Sequence, residues 1–135
     1  MTNQEIVAKF FEYYQARDLG KLKEVVSENV VWYFLGRHKL AGVKKGFKEL
    51  VEFFDTMGSI MMESKPSIEK LIVAENGRYV IECQRIQTNR ADGINVDHHA
   101  TVLWTIENGK IISGRHFFAE PEAVDGYFNA VPVKK

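Results

Sequence analysis

The chain has 135 residues, 45% of them hydrophobic and 27% charged, and its 18 Lys plus Arg balance 18 Asp plus Glu. A chain of this length buries roughly two thirds of its surface on folding, so a single domain over 1–135 needs neither a metal nor a disulfide, and the composition excludes disorder, collagen and coiled coil. Zero net charge leaves no basic stripe for a polyanion, so no nucleic-acid partner is expected. The single cysteine, Cys83, allows no intrachain disulfide and suits a reducing cytoplasm. The opening Met1-Thr2-Asn3-Gln4-Glu5 does not read as a signal peptide, and no apolar run approaches the roughly 20 residues of a membrane span.

In chain order, Ile6, Val7, Phe10, Phe11 and Tyr14 form the stripe of an amphipathic helix capped by Thr2 or Asn3. Leu19, Leu22, Val25 and Val26 repeat the pattern in a shorter helix that Ser27-Glu28-Asn29 is expected to stop. Val30 to Leu35 is β-branched and aromatic, hence a short strand, followed by a polar loop between Gly36 and Gly42 that contains His38. From Val43 a third helix is expected, with Phe47, Leu50, Val51, Phe54, Met57 and Met61 at helical spacing, ending before Pro66. Four strand-like runs follow, Ile68 to Glu75, Arg78 to Asn89, Ile94 to Glu107 and Lys110 to Phe118, separated by Asn76-Gly77, Asp92-Gly93 and Asn108-Gly109. Such turns tolerate positive φ and favour tight hairpins, so the second half reads as an antiparallel meander. Pro121 opens a closing helix with Val124, Tyr127 and Phe128 as its contacts. Helices first and a meander second define the α+β class, with helices on one face of the sheet.

Strand alternation divides each long strand into two sets. Tyr79, Ile81, Cys83, Arg85 and Gln87 oppose Val80, Glu82, Gln84, Ile86 and Thr88; His98, Ala100, Val102, Trp104 and Ile106 oppose His99, Thr101, Leu103 and Thr105; Ile112, Gly114, His116 and Phe118 oppose Ile111, Ser113, Arg115 and Phe117. Periodicity does not say which set meets the helices. Neither face is wholly polar, which points to cover on both sides, one of them by a second copy of the chain.

The segment Phe10 to Leu19, the run Leu40-Ala41-Gly42-Val43-Lys44-Lys45-Gly46-Phe47 and the hairpin Trp104 to Ile112 together resemble the nuclear transport factor 2-like superfamily. This superfamily includes ketosteroid isomerase, SnoaL-like polyketide cyclases and limonene-epoxide hydrolase. The resemblance spans nearly the whole chain. It implies a cone-shaped, barrel-like fold, a deep pocket between sheet and helices, and a homodimer that packs sheet on sheet. Such a fold hosts many chemistries.

Carried over position by position, Cys83-Gln84-Arg85-Ile86-Gln87 resembles the Glu-Arg-x-Asp strand of limonene-epoxide hydrolase, and Gly114 to Phe118 its Trp-Arg-Asp-Tyr-Phe strand. By that resemblance Arg85 keeps a pocket arginine, while Gln87 and His116 stand where the hydrolase has aspartates. The hydrolase's water-holding residues fall on Trp32 and Phe34, and the ketosteroid isomerase carboxyl groups fall near Tyr33 and Val102. Neither of those two reactions fits. The implied pocket is lined by Trp32, Phe34, Tyr79, Cys83, Arg85, Gln87, His98, Val102, Trp104, His116 and Phe118, with Ile81, Ala100 and Ile112 between them. That lining suits a small hydrophobic or aromatic molecule.

Of these residues, His116 is the acid–base candidate or else fills the pocket. Arg85 binds an oxyanion or is tied in a salt bridge, and Gln87 orients substrate or water. His98 and His99 point to opposite faces of a strand, so neither a metal nor another cofactor is expected. The function expected is isomerase, cyclase or hydrolase chemistry on a small molecule, or non-catalytic binding or dimerisation.

Overall fold

Thr2 accepts a hydrogen bond from the Glu5 backbone N–H and starts helix α1, Asn3–Gln15, which buries Ile6, Val7 and Phe10. Asp18 caps α2, Leu19–Val25, in the same way through the Lys21 N–H. These elements belong to a computed structural model that describes residues 1–132. The chain leaves α2 at Val26, whose backbone is extended, and strand β1 runs Val26–Phe34. Ser27-Glu28-Asn29 therefore lie inside β1, four residues earlier than the apolar run suggests. Val26 pairs with Ile111, and both are buried, so this tertiary contact overrides the polar triplet.

Val43 does not open a helix. Gly42–Lys45 is a short edge strand, β2, antiparallel to β1, and only after Gly46 (φ 89°) does the chain turn into α3, Phe47–Glu63. The meander follows as β3 (Ser67–Asn76), β4 (Tyr79–Gln87), β5 (Asp97–Glu107) and β6 (Lys110–Phe118), and α4 (Pro121–Ala130) closes the fold. Asn108 and Gly109 both have positive φ, as a tight hairpin turn requires. Asp92-Gly93 makes no such turn. In that loop Asn95 and Asp92 side chains accept from the Arg90 and Ile94 N–H groups, so the backbone is satisfied locally and β5 starts only at Asp97.

The six strands lie in the order β2-β1-β6-β5-β4-β3, antiparallel except for the β1–β6 pair. Helices and sheet together give the α+β class expected, and α1, α3 and α4 bury their apolar stripes against one sheet face. Two helices are also tied to each other: Tyr14 Oη on α1 and Arg17 Nη1 in the turn that follows it both donate to Asp55 Oδ1 on α3, at 2.5 and 2.7 Å. Burial and the Asp55 bond push the Tyr14 hydroxyl up to about 12. No helix among the described residues is long and apolar enough to cross a membrane.

Candidate functional site

Register decides which side chains reach the helices. Val80 on β4 pairs with Trp104 on β5, which pairs with Gly114 on β6, which pairs with Trp32 on β1. Val80, Trp104 and Trp32 are all buried beneath the helices. With Val80 inside, alternation forces Glu82, Gln84 and Ile86 inside too. Tyr79, Cys83, Arg85 and Gln87, expected in the pocket, therefore stand on the opposite face. This corrects the assignment drawn from the hydrolase-like strand. The signal that misled is the resemblance itself, which set Arg85 inward, whereas the pairing of Val80 with Trp104 sets Glu82 inward.

On that outer face Arg85 makes a two-pronged ion pair with Asp97, at 3.1 Å from Nε and 2.9 Å from Nη2, and Gln87 donates to the same carboxylate at 3.2 Å. The guanidinium hydrogen bond holds the Asp97 carboxyl below the usual range. Arg85 is thus a salt-bridged residue and not a pocket anion receptor. Cys83 accepts a hydrogen bond from the Thr101 hydroxyl. A second correction concerns Ile112. Thr105 pairs with Ser113 but Ile106 pairs with Ile111, so β6 carries a bulge that places Ile111 in the core and Ile112 partly in solvent.

The inner face closes with the helices around a cavity of about 210 Å³. Trp32, Phe34, His98, Ala100, Val102, Trp104, His116 and Phe118 line it as expected, joined by Glu82, Gln84 and Ile86 from β4 and Ile68 from β3. Phe11 of α1, Phe54, Met57 and Met61 of α3, and Phe128 of α4 supply the roof. The volume is below the roughly 300–1,000 Å³ of sites for drug-sized ligands, so it suits one or two fused rings.

The polar groups of this apolar chamber divide into satisfied and unsatisfied sets. Glu82 is 3% exposed; its Oε1 accepts from Trp104 Nε1 at 2.9 Å, and its Oε2 lies 3.4 Å from Lys70 Nζ. In contrast Trp32 Nε1, His116 Nε2 and His98 Nδ1 are buried without a hydrogen-bond partner among the described residues. A buried polar atom left unpaired costs on the order of 1–3 kcal/mol, so three around one chamber need an explanation. Desolvation of the ring lowers His116 to about 3, which keeps its imidazole neutral at physiological pH. Desolvation lowers His98 as well, with Glu120 and Asp97 opposing. Glu82, Val102 and His116 form one row across β4, β5 and β6. With strands about 4.8 Å apart, the carboxylate and the imidazole flank a space roughly 10 Å wide.

Glu82 is the residue that sequence reasoning missed. Alternation groups it with Val80, Gln84 and Ile86, but only the pairing of Val80 with Trp104 assigns its face, and a nine-residue loop between β4 and β5 hides that register from the sequence.

A meander wrapped by helices around an aromatic chamber defines a nuclear transport factor 2-like protein of the SnoaL-like branch. The SnoaL-like domain family matches residues 7–114, and the chain belongs to that family. The chain is 26% identical over 125 residues to the uncharacterized protein Rv0034 of Mycobacterium tuberculosis, covering 92% of this chain and 94% of that one. Among solved structures it is similar to Bal32a from a soil-derived mobile gene cassette, at 26% identity and TM-score 0.77 over 93% of this chain and 95% of the other. It also shares the fold of TerC, co-crystallized with polyporic acid, at 16% identity and TM-score 0.70 over 93% and 97% of the two chains.

Proposed function

We propose that the chamber binds a small ring ketone and catalyses proton transfer next to its carbonyl, the elementary step of isomerase and cyclase chemistry. The observation that supports it most is that Trp32 and His116, each with a ring nitrogen left unpaired, line the same chamber as the buried carboxylate Glu82. In this reading Glu82 takes the proton from the carbon beside the carbonyl. The C–H electron pair forms the C=C bond of the enolate, and the carbonyl π pair moves to oxygen. Trp32 Nε1 donates to that oxygen, and so does His116 in the tautomer that carries its proton on Nε2. A neutral imidazole is the better donor for this purpose because it does not surrender its proton to the enolate. Glu82 therefore takes the acid–base part first assigned to His116, and His116 with Trp32 takes the oxyanion-binding part first assigned to Arg85.

Proton exchange tests this without knowledge of the natural substrate. With 2-tetralone in D2O, the protein is expected to accelerate deuterium incorporation beside the carbonyl at least 100-fold over buffer, a typical general-base contribution. Glu82→Gln is expected to remove that acceleration while retaining ketone binding, read as quenching of Trp32 and Trp104, the only two tryptophans of the chain. Binding without exchange in the unaltered protein would leave the second reading, a non-catalytic carrier or sensor, in its place.

We further propose a homodimer formed through the outer sheet face. Ile72, Cys83, Thr101 and Phe117 form one row across four strands of that face, with Ile72 55% and Phe117 50% exposed, and Tyr79 nearby is 45% exposed. Exposed apolar rows of this kind favour a partner. Phe117→Asp is expected to shift the sedimenting species from dimer to monomer, and a monomer in the unaltered protein would refute the proposal. We place the protein in the cytoplasm, where the Cys83 thiol stays reduced.

A further inference from the structure

The charge inside the chamber has one source. Glu82 is the sole Asp, Glu, Lys or Arg among the residues that line it. Its Lys70 partner offsets that charge only in part. Lys70 pairs with Gln84 on the same sheet face and shares a second, surface cleft with Gln4, Val7, Phe11 and Glu82 itself, but the Lys70 side chain is 59% exposed and the Glu82 side chain 4%. Water screens the ammonium more than the carboxylate, so the carboxylate dominates the field in the chamber. Arg85, the cation expected to receive an anion, points the other way and is held by Asp97. The imidazoles do not supply a positive charge at neutral pH, because desolvation keeps His116 and His98 in their neutral forms.

We propose that the chamber selects its ligand by charge, admitting ring compounds that are neutral or carry an ammonium group and rejecting carboxylates, with Glu82 as the residue that sets this preference. The inference rests on the ligand chamber described above and names the substrate class: one- or two-ring carbonyl compounds with no anionic substituent. The reaction supplying such a substrate would leave it without a free acid, as a decarboxylation or an amide- or ester-forming step does. A buried carboxylate that already accepts from Trp104 and faces Lys70 has no donor to spare for a second carboxylate.

An isosteric series reads the preference directly. 2-Naphthylmethanol, 2-naphthylmethylamine and 2-naphthoate share one ring system and differ in charge, and tryptophan quenching measures the Kd of each at pH 7. The alcohol and the amine are expected to bind at least tenfold more tightly than the carboxylate. Glu82→Gln keeps an acceptor for Trp104, and in this variant the carboxylate is expected to bind within threefold of the alcohol while the amine weakens. Lys70→Gln serves as an independent variant should Glu82→Gln not fold. Removing the outer ammonium leaves Glu82 less compensated, so the carboxylate weakens further against the alcohol. Equal or tighter binding of 2-naphthoate in the unaltered protein overturns the proposal. So does discrimination that is unchanged in the variants. If none of the three compounds quenches, the ligand chamber itself is refuted, which is a different result.

Discussion

Gly114→Ala is expected to destabilise the protein by about 3 kcal/mol, at the upper end of the range for overpacked cores. A Cβ built on Gly114 falls 1.9 Å from Trp32 Cζ3 and 2.3 Å from Cε3, far inside van der Waals contact. The indole is fully buried, with ring neighbours Phe54 at 5.3 Å, Trp104 at 4.9 Å and His116 at 5.6 Å between centroids, so the ring can yield only by giving up these contacts and moving into the chamber. Gly114 is thus required by close approach of a ring to the strand rather than by backbone conformation, since its φ is not among the positive ones. Thermal unfolding checks the expectation, with a fall in Tm of roughly 12 °C for a domain of this size. Trp32→Phe in the same chain should recover part of the loss, because the smaller ring vacates the contested volume. A fall as large in the double variant as in Gly114→Ala alone would contradict the packing account.

The second large effect is a loss of stability in acid traced to His116. Its folded-state pKa is lowered from 6.5 to about 3 by burial alone. Between those values the unfolded chain binds a proton that the folded chain refuses. Stability is therefore full above about pH 6.5 and declines as pH falls toward 3, by up to about 1.4 kcal/mol per pH unit from this one group. His98 and His38 are lowered in the same sense by desolvation and add to the slope. Chemical denaturation at a series of pH values measures it. His116→Leu is expected to flatten the acid limb by about one proton's worth of linkage, whereas an unchanged limb would show that His116 is not held neutral in the fold.

Much of the fold was legible because its signals are local. The stripe Ile6-Val7-Phe10, the Asn-Gly turns and Pro121 at the start of α4 each specify structure over a few residues. The departures come where distant pairing decides. Val26 extends β1 because Ile111 lies beside it, β2 forms because β1 offers an edge, and the parallel β1–β6 pair has no local signature at all.

The site was legible in the same uneven way. His98, Val102 and Trp104 on β5 alternate cleanly and lie where alternation and resemblance placed them, as do Trp32, Phe34, His116 and Phe118. On β4 the resemblance chose the face containing Arg85, and a one-residue change of phase exchanges every side chain between chamber and exterior. That exchange replaces an arginine by a glutamate in the chamber wall and so reverses the sign of the charge that lines it.

The chamber's claim to a ligand rests on Trp32 having an unpaired indole N–H while Trp104 has a paired one, and the two indole signals of a 15N-labelled sample report on that difference separately. Trp32→Phe and Trp104→Phe assign the signals. On saturation with 2-tetralone, the Trp32 indole proton is expected to move downfield as it meets the carbonyl oxygen, with the Trp104 signal still in its Glu82-bonded position. An unmoved Trp32 signal at saturating ketone, or a shift confined to Trp104, would contradict the account.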